Sequence, residues 1–391
     1  MTEIQKDNKN IANVPHLRFP GFTGEWEVKK LGEIAEKIGD GLHGTPIYVE
    51  ESDFYFINGN NLVNGKIEIN ENTKKIDVET FIKNDKQLRK NTLLISINGT
   101  IGNIAKYDNE NVMLGKSVGY FNFEENSDFI YFVLQTKLIQ NFFNSELTGS
   151  TIKNLSLKTL RETLISRPNQ VERQQISSFL SLIDERIQTQ IKIIEELKLL
   201  KNTLSKKIFL CQLRFKDDNT NDYPEWQHKK LGELATITTG SSNREDSILD
   251  GEYTFFDRSQ DIRTSKRYLF NKEAVIVPGE GQKFTPKYFM GKFDLHQRTY
   301  AIFDFIELSG KYLYYHIDID EKYLQSQAVG STVKSLRLPM FQSMPIKLPP
   351  LEEQMKIANF LSSIDSKIDV ETELLQKLEE QKKYLLQNLF I

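Results

Sequence analysis

The chain has 391 residues, 39% hydrophobic and 27% charged, the balance of a soluble globular protein long enough for two domains plus connecting elements. No apolar run approaches a membrane span, and a single cysteine, Cys211, excludes internal disulfides and fits a reducing cytoplasm. A net charge of −3 requires any nucleic-acid role to rest on local basic surface, and five scattered histidines offer no metal-ligand spacing.

Residues 1–16 open the chain as a polar, Asn/Lys-rich tail without the apolar core of a signal peptide, and read as disordered. Leu17-Arg18-Phe19-Pro20 follows, then Glu25-Trp26 and Lys29-Lys30-Leu31-Gly32-Glu33. Short β-rich runs such as Thr92–Ile97 end in a turn signal, Asn98-Gly99, and Phe129–Phe143 carries apolar residues three and four apart, as a helix would. Gly149-Ser150-Thr151-Ile152-Lys153-Asn154-Leu155 closes this first globular part. From Pro168 to Leu210 the pattern changes to two interleaved seven-residue ladders: Ile176, Ile183, Leu197 and Leu204 in one, Leu180, Ile187, Ile194 and Ile208 in the other. Such a stripe predicts a long helix that packs on a partner helix, and its polar breaks at Gln190 and Lys201 are of the kind that fix register.

The second half repeats the first. Leu213-Arg214-Phe215, Pro224-Glu225-Trp226 and Lys229-Lys230-Leu231-Gly232-Glu233 reproduce the opening, and the only two tryptophans stand 200 residues apart. Glu273–Val277 ends in Pro278-Gly279, Gly310–Gln325 is helical in pattern, and Gly330-Ser331-Thr332-Val333-Lys334-Ser335-Leu336 closes the second part. A shift of 181 residues then lays the long helix on a C-terminal copy without a gap, placing Pro168 on Pro349, Ile176 on Ile357, Leu180 on Leu361, Ile183 on Ile364, Ile187 on Ile368, Ile194 on Leu375 and Leu197 on Leu378. The polar breaks recur at Glu371 and Lys382. Between the Leu-Gly-Glu and Gly-Ser-Thr anchors the spacing is 118 residues in one half and 99 in the other, so the flanks are copied while the centres have diverged. The expected architecture is therefore α+β: two α/β domains separated by two long helices that form an antiparallel intramolecular coiled coil, with pseudo-twofold symmetry. The boundaries are a tail at 1–16, domain one at 17–166, helix one at 167–210, domain two at 211–347 and helix two at 348–391. At about 1.5 Å per residue, forty residues make a rod of roughly 60 Å, enough to hold two reading heads a DNA turn or more apart.

No catalytic constellation is present. Gly39-Asp40-Gly41-Leu42-His43-Gly44 is a literal G-x-G-x-x-G, but Thr45–Val49 follows as an extended segment where a dinucleotide site needs a helix. There is no Walker A sequence, no Asp-Pro-Pro-Tyr-like tetrad and no Pro-Asp step. The diverged centres instead suit DNA. From Arg258 to Arg298 nine Lys/Arg stand against four Asp/Glu, interleaved with aromatics such as Phe255, Phe256, Tyr268 and Phe284. Cations supply phosphate contacts, and Arg, Gln and Asn read guanine and adenine edges. The candidates in the second domain are Arg258, Gln260, Arg263, Lys266, Arg267, Lys283, Lys287, His296, Gln297, Arg298 and Lys334. In the first they are Asp40, His43, Thr45, Asn58, Asn60, Asn61, Lys116, Ser117 and Lys153. The opposing reading is a solvated charged face over core aromatics. Because both domains carry the Gly-Ser-Thr-x-Lys loop that holds Lys153 in one and Lys334 in the other, those two suit shared structure or phosphate contacts better than sequence discrimination.

Two diverged globes alternating with two repeated long helices resemble the specificity subunit of a type I restriction–modification enzyme, over essentially the whole chain after about residue 15. Each globe opens with Trp…Lys-Lys-Leu-Gly-Glu and closes with Gly-Ser-Thr. The helix starts are Pro349-Pro350-Leu351-Glu352-Glu353-Gln354 in one copy and Pro168-Asn169-Gln170-Val171-Glu172-Arg173-Gln174 in the other, where the Gln comes one place later. The resemblance implies that each globe is a target recognition domain for one half of a split DNA target. It further implies that the helices dock two modification subunits, which bind S-adenosylmethionine and methylate adenine N6, and that two restriction subunits using ATP and Mg can join. The chain itself would bind no cofactor or metal and catalyse nothing. Candidates for the helix pair and partner interface are Ile176, Leu180, Ile183, Ile187, Ile194, Leu197, Ile357, Leu361, Ile364, Ile368, Leu375 and Leu378. Two other classes remain: a stand-alone DNA-binding regulator, which binds DNA specifically without partners, and a coiled-coil scaffold, which shows no salt-dependent duplex binding.

Overall fold

The computed structural model describes residues 13–149 and 153–391. The tail before Asn13, and Ser150, Thr151 and Ile152 of the first Gly-Ser-Thr loop, lie outside those residues. The chain divides into two compact units, one comprising the residues up to Gln190 with Leu374–Ile391, the other Ile191–Glu373. Each unit therefore holds one globe, part of the first long helix (Gln170–Phe209) and part of the second (Leu351–Asn388).

In the first unit, Glu27–Lys30 pairs antiparallel with Leu164–Arg167, so that the Lys-Lys-Leu-Gly-Glu segment is a strand running into the short helix Leu31–Ile34. Gly32 lets the chain pass close to the neighbouring helix, since a Cβ there would stand a tight 3.1 Å from both the Arg161 Cβ and its carbonyl oxygen. Gly232 meets Gln342 at the same distances, so the duplicated glycine serves one close helix approach in both units. An antiparallel sheet runs in the order Lys37–Asp40, Val118–Asn122, Leu93–Ser96, Ile104–Lys106, and beside it Phe54–Ile57 pairs parallel with Val112–Leu114. The second unit builds the same layout as one six-stranded sheet, in the order Thr236–Thr239, Thr299–Phe303, Phe270–Pro278, Lys287–Leu295, Tyr253–Phe256, Arg263–Ser265. Its nine-residue strand Lys287–Leu295 corresponds to two short strands in the first unit, where Asn109 in a left-handed conformation (φ 66°) turns the chain between Ile104–Lys106 and Val112–Leu114. The apolar stretch Phe129–Phe143 is two helices, Asp128–Gln135 and Lys137–Ser145. Thr136 breaks them by turning extended and capping Ile139 N with its hydroxyl. Gly310–Ile319 and Glu321–Gln327 are the counterparts.

Within each unit the long helices run antiparallel. In the first, Ile176 and Leu180 join the globe core with Trp26, Phe129, Leu385 of the second long helix, and Leu389 and Phe390 just beyond its end. In the second, Ile357 and Leu361 join Ile208, Phe209 and Tyr312. Ile187, Ile194 and Leu378 are buried, while Ile183, Leu197, Ile364, Ile368 and Leu375 are half-buried. The seam lysines of the sequence pattern have partners: Lys382 meets Asp184 at 2.7 Å in the first unit, and Lys201 meets Asp365 at 2.7 Å in the second. These are the same contact, displaced by 181 residues at each partner.

The duplicated Leu-Arg-Phe segments latch onto the helix starts. The Arg18 guanidinium donates to both oxygens of Glu172 (2.7 and 2.8 Å), and Arg214 donates to both oxygens of Glu353 (3.2 and 2.8 Å). Both carboxylates are fully buried. The tryptophans differ. Trp226 donates its Nε1 proton to Glu353 at 3.0 Å. Trp26 packs edge-on against Phe129 and Phe390, and its Nε1 is buried without a partner. The first helix ends with Cys211 in the left-handed conformation (φ 57°), which lets the Gln212 and Leu213 amides close on the Lys207 carbonyl. In the first unit, the Leu17 amide donates to the equivalent Asn388 carbonyl at 2.8 Å.

Candidate nucleic-acid interface

In each unit the parallel strand pair and its antiparallel neighbours deliver five connections to one end of the sheet. In the first unit these leave Asp40, Ile57 and Ser96, join Leu114 to Val118, and include Lys153-Asn154. Backbone bonds weld them: Leu42 N to Leu114 O (2.7 Å), Gly115 N to Ile57 O (2.8 Å), Ile97 N to Ser117 O (2.9 Å) and Leu155 N to Ile97 O (2.9 Å). The second unit repeats all four, as Ser242 N to Leu295 O (3.2 Å), His296 N to Phe256 O (2.9 Å), Gly279 N to Arg298 O (2.9 Å) and Leu336 N to Gly279 O (2.8 Å). The glycines of the first connection serve this weld. A Cβ on Gly41 would lie 2.2 Å from the Leu114 carbonyl oxygen, and one on Gly240 would lie 1.6 Å from that of Leu295. No helix opens at Gly44, so Gly39–Gly44 is a backbone crossing and not a dinucleotide cradle.

All nine first-unit candidates lie on these connections. His43 pairs with Asp40 at 2.7 Å, and Lys116 and Lys153 are exposed. Ser117 donates to the Asn58 side-chain oxygen and accepts from Gly59 N, both at 2.9 Å, while Asn61 caps Asn58 N and donates to Glu68 O. Asn60 is exposed on the same turn and Thr45 follows the crossing. The surface is a lattice of amides and hydroxyls with two exposed lysines.

The second-unit candidates separate. Arg258, Gln260, Lys283, Gln297, Arg298 and Lys334 are exposed at the welded end. His296 is there too, but buried. Burial holds its pKa below the usual histidine value, and its Nδ1 accepts from Arg298 N at 3.0 Å, so the neutral ring shapes the turn. Arg263 turns to the buried Asp257 (3.1 Å), which its contacts with Ser259 and Arg263 hold below the usual carboxylate range against its own desolvation. The Lys287 ammonium donates to Ser259 O at 2.6 Å and is pushed down by burial. Arg267 donates to Ser242 Oγ at 2.9 Å beside the buried Asp294. Lys266 stands in the turn at the far end of the Tyr253–Phe256 strand. Phe255, Phe256 and Phe284 are core residues, as the opposing reading of the interleaved aromatics had it.

Sequence reasoning missed Glu280, which accepts from Arg258 Nη1 at 2.8 Å and from Arg298 Nη1 at 2.5 Å, and Asn243, whose side-chain oxygen accepts from Gln297 at 2.6 Å. Glu280 was legible only as part of a glycine turn; Asn98, its counterpart in the first unit, only as a turn signal. Among the described residues, no three His, Cys, Asp or Glu side chains are grouped to hold a metal ion, and no helix is long and apolar enough to cross a membrane.

Residues 23–199 and 223–380 both match the family described as the type I restriction modification DNA specificity domain. The chain belongs to that family. A specificity subunit is the non-catalytic component of a type I restriction–modification system and recognises the DNA target. The chain is 24% identical to the MjaIX specificity subunit of Methanocaldococcus jannaschii, covering 88% of each protein. It is 29% identical over 145 residues to the EcoDI specificity subunit of Escherichia coli, covering 37% of this chain and 32% of that one. In fold it is similar to the crystal structure of the S subunit from M. genitalium, with a TM-score of 0.65 over 97% of this chain and 99% of that one at 18% identity.

Proposed function

We propose that this specificity subunit binds an asymmetric, bipartite DNA target, one half-site per unit, and directs adenine-N6 methylation by two modification subunits carrying S-adenosylmethionine. Two restriction subunits using ATP and Mg join to cut unmodified DNA; this chain holds none of these cofactors. One observation carries the reading: the two units weld the same five connections with the same backbone bonds, yet present different side chains on them. Equal scaffolds with unequal surfaces suit two related but different half-sites. The long helices, paired antiparallel within each unit, are the docking surface for the modification subunits and fix the unread gap.

The test is co-expression with the modification subunit in a methylation-free host, followed by genome-wide mapping of N6-methyladenine. The expected result is one split motif with unlike halves and one modified adenine in each. A continuous motif, or no new methylation by a complex shown to be assembled, would overturn the bipartite reading.

A further inference from the structure

The four shared backbone bonds place the two units in register at their welded ends. Asn98 of the first unit corresponds to Glu280 of the second, and Ser117 corresponds to Arg298. Where the first unit has an amide and a hydroxyl, the second has a carboxylate and a guanidinium. The Glu280 side chain is 14% exposed and grips two arginines, Arg258 through one oxygen and Arg298 through the other. The arginine side chains themselves remain 51% and 57% exposed. Arg298 is also fixed by its backbone, its amide on His296 Nδ1 and its carbonyl on Gly279 N.

A carboxylate beneath two arginines is a poor way to attract phosphate, because it cancels one of their two charges and a phosphate contact needs charge more than orientation. It is a good way to hold two planar donor groups in fixed directions. Each guanidinium spends part of its five-donor set on Glu280 and keeps the rest for an outside acceptor pair. The acceptor pair that matches such a fork in a duplex groove is O6 and N7 of guanine.

We infer that Arg258 and Arg298 read guanine in the half-site of the second unit, with Glu280 as their positioning residue. The first unit has no guanidinium at the place of Arg298, so its half-site is read there by other chemistry. The inference rests on the DNA-recognition role above and assigns bases within it.

The test uses the assembled complex with the modification subunit and compares the methylation motif of the wild type with those of Arg298→Lys, Arg258→Lys and Glu280→Gln. Lysine keeps the charge and loses the fork. Each lysine variant is expected to relax one G·C position in one half of the motif, with about a tenfold loss of discrimination, while the other half is unchanged. Glu280→Gln is expected to relax the same positions. An unchanged motif in both lysine variants would overturn the assignment, and a fall in methylation at all sites together without relaxation would overturn it in favour of phosphate contacts. A wild-type complex with no sequence-selective methylation would overturn the recognition role itself, and the fork with it.

Discussion

Glu172 and Glu353 are fully buried carboxylates at matching places, and what holds each in its site differs by one donor. Glu353 receives Arg214 and the Trp226 indole, whereas Glu172 receives Arg18. Removing one partner of a buried ion pair leaves a desolvated charge and costs about 3–5 kcal/mol. Arg18→Ala should therefore destabilise its unit by an amount in that range, and Arg214→Ala by less, since the indole N–H still serves Glu353. Urea denaturation of the two variants side by side measures the difference; equal losses would show that the indole bond contributes nothing. His316 provides a second case. Burial, followed by the nearby Lys347 charge, pushes its pKa down from 6.5 to about 4, and its Nδ1 has no partner. The unfolded chain takes up a proton near pH 6.5 and the folded one only near 4. Within that window the unfolded state binds more protons, so stability is complete above pH 6.5 and falls as pH drops toward 4, by a total on the order of 3 kcal/mol. His316→Gln should flatten this acid limb, read as a smaller loss of unfolding free energy between pH 7 and pH 5 than in the wild type.

The long helices were the most legible elements, because a gapless copy of a seven-residue pattern leaves few other structures open. Even their polar breaks were readable: Lys201 and Lys382 interrupt the ladders, and the structure gives each an aspartate on the other helix, Asp365 and Asp184. Those aspartates stand in the Ile183-Asp184 and Ile364-Asp365 steps that the 181-residue shift had already aligned. Less legible was the division of labour along each ladder. Ile176 and Leu180 serve a globe core as well as a helix partner, and nothing in a heptad distinguishes the two. The break at Thr136 was hidden for a similar reason. A hydroxyl that caps Ile139 leaves the apolar spacing on both sides intact, so Phe129–Phe143 reads as one helix. Strand ends were marked by Asn98-Gly99 and Pro278-Gly279, but which ends meet is a matter of sheet order. The parallel pairing of Phe54–Ile57 with Val112–Leu114, which brings Asn58 to Ser117, has no local signature.

At the scale of the whole molecule, a net charge of −3 has to be reconciled with a polyanionic target. Much of the basic stretch from Arg258 to Arg298 is neutralised internally, by Asp257, Glu280, Asp294 and, for Lys272, Asp304. That is why composition alone overstated its pull on phosphate. The cations left to attract the backbone are exposed residues such as Lys153 and Lys334, which have no carboxylate within ion-pair distance among the described residues and hold the same place in both units. A residue shared by two half-site readers cannot carry their difference, but it can carry what the half-sites have in common, the phosphate. Replacing both lysines with alanine should weaken DNA binding by the assembled complex evenly across sequences. It should also reduce the slope of log affinity against log salt by about two, since each lost phosphate contact removes about 0.9. Fluorescence anisotropy over a salt series measures the slope, and methylation mapping checks that the motif is unchanged. A relaxed motif would make these lysines base contacts, and an unchanged slope would place the phosphates elsewhere on the surface.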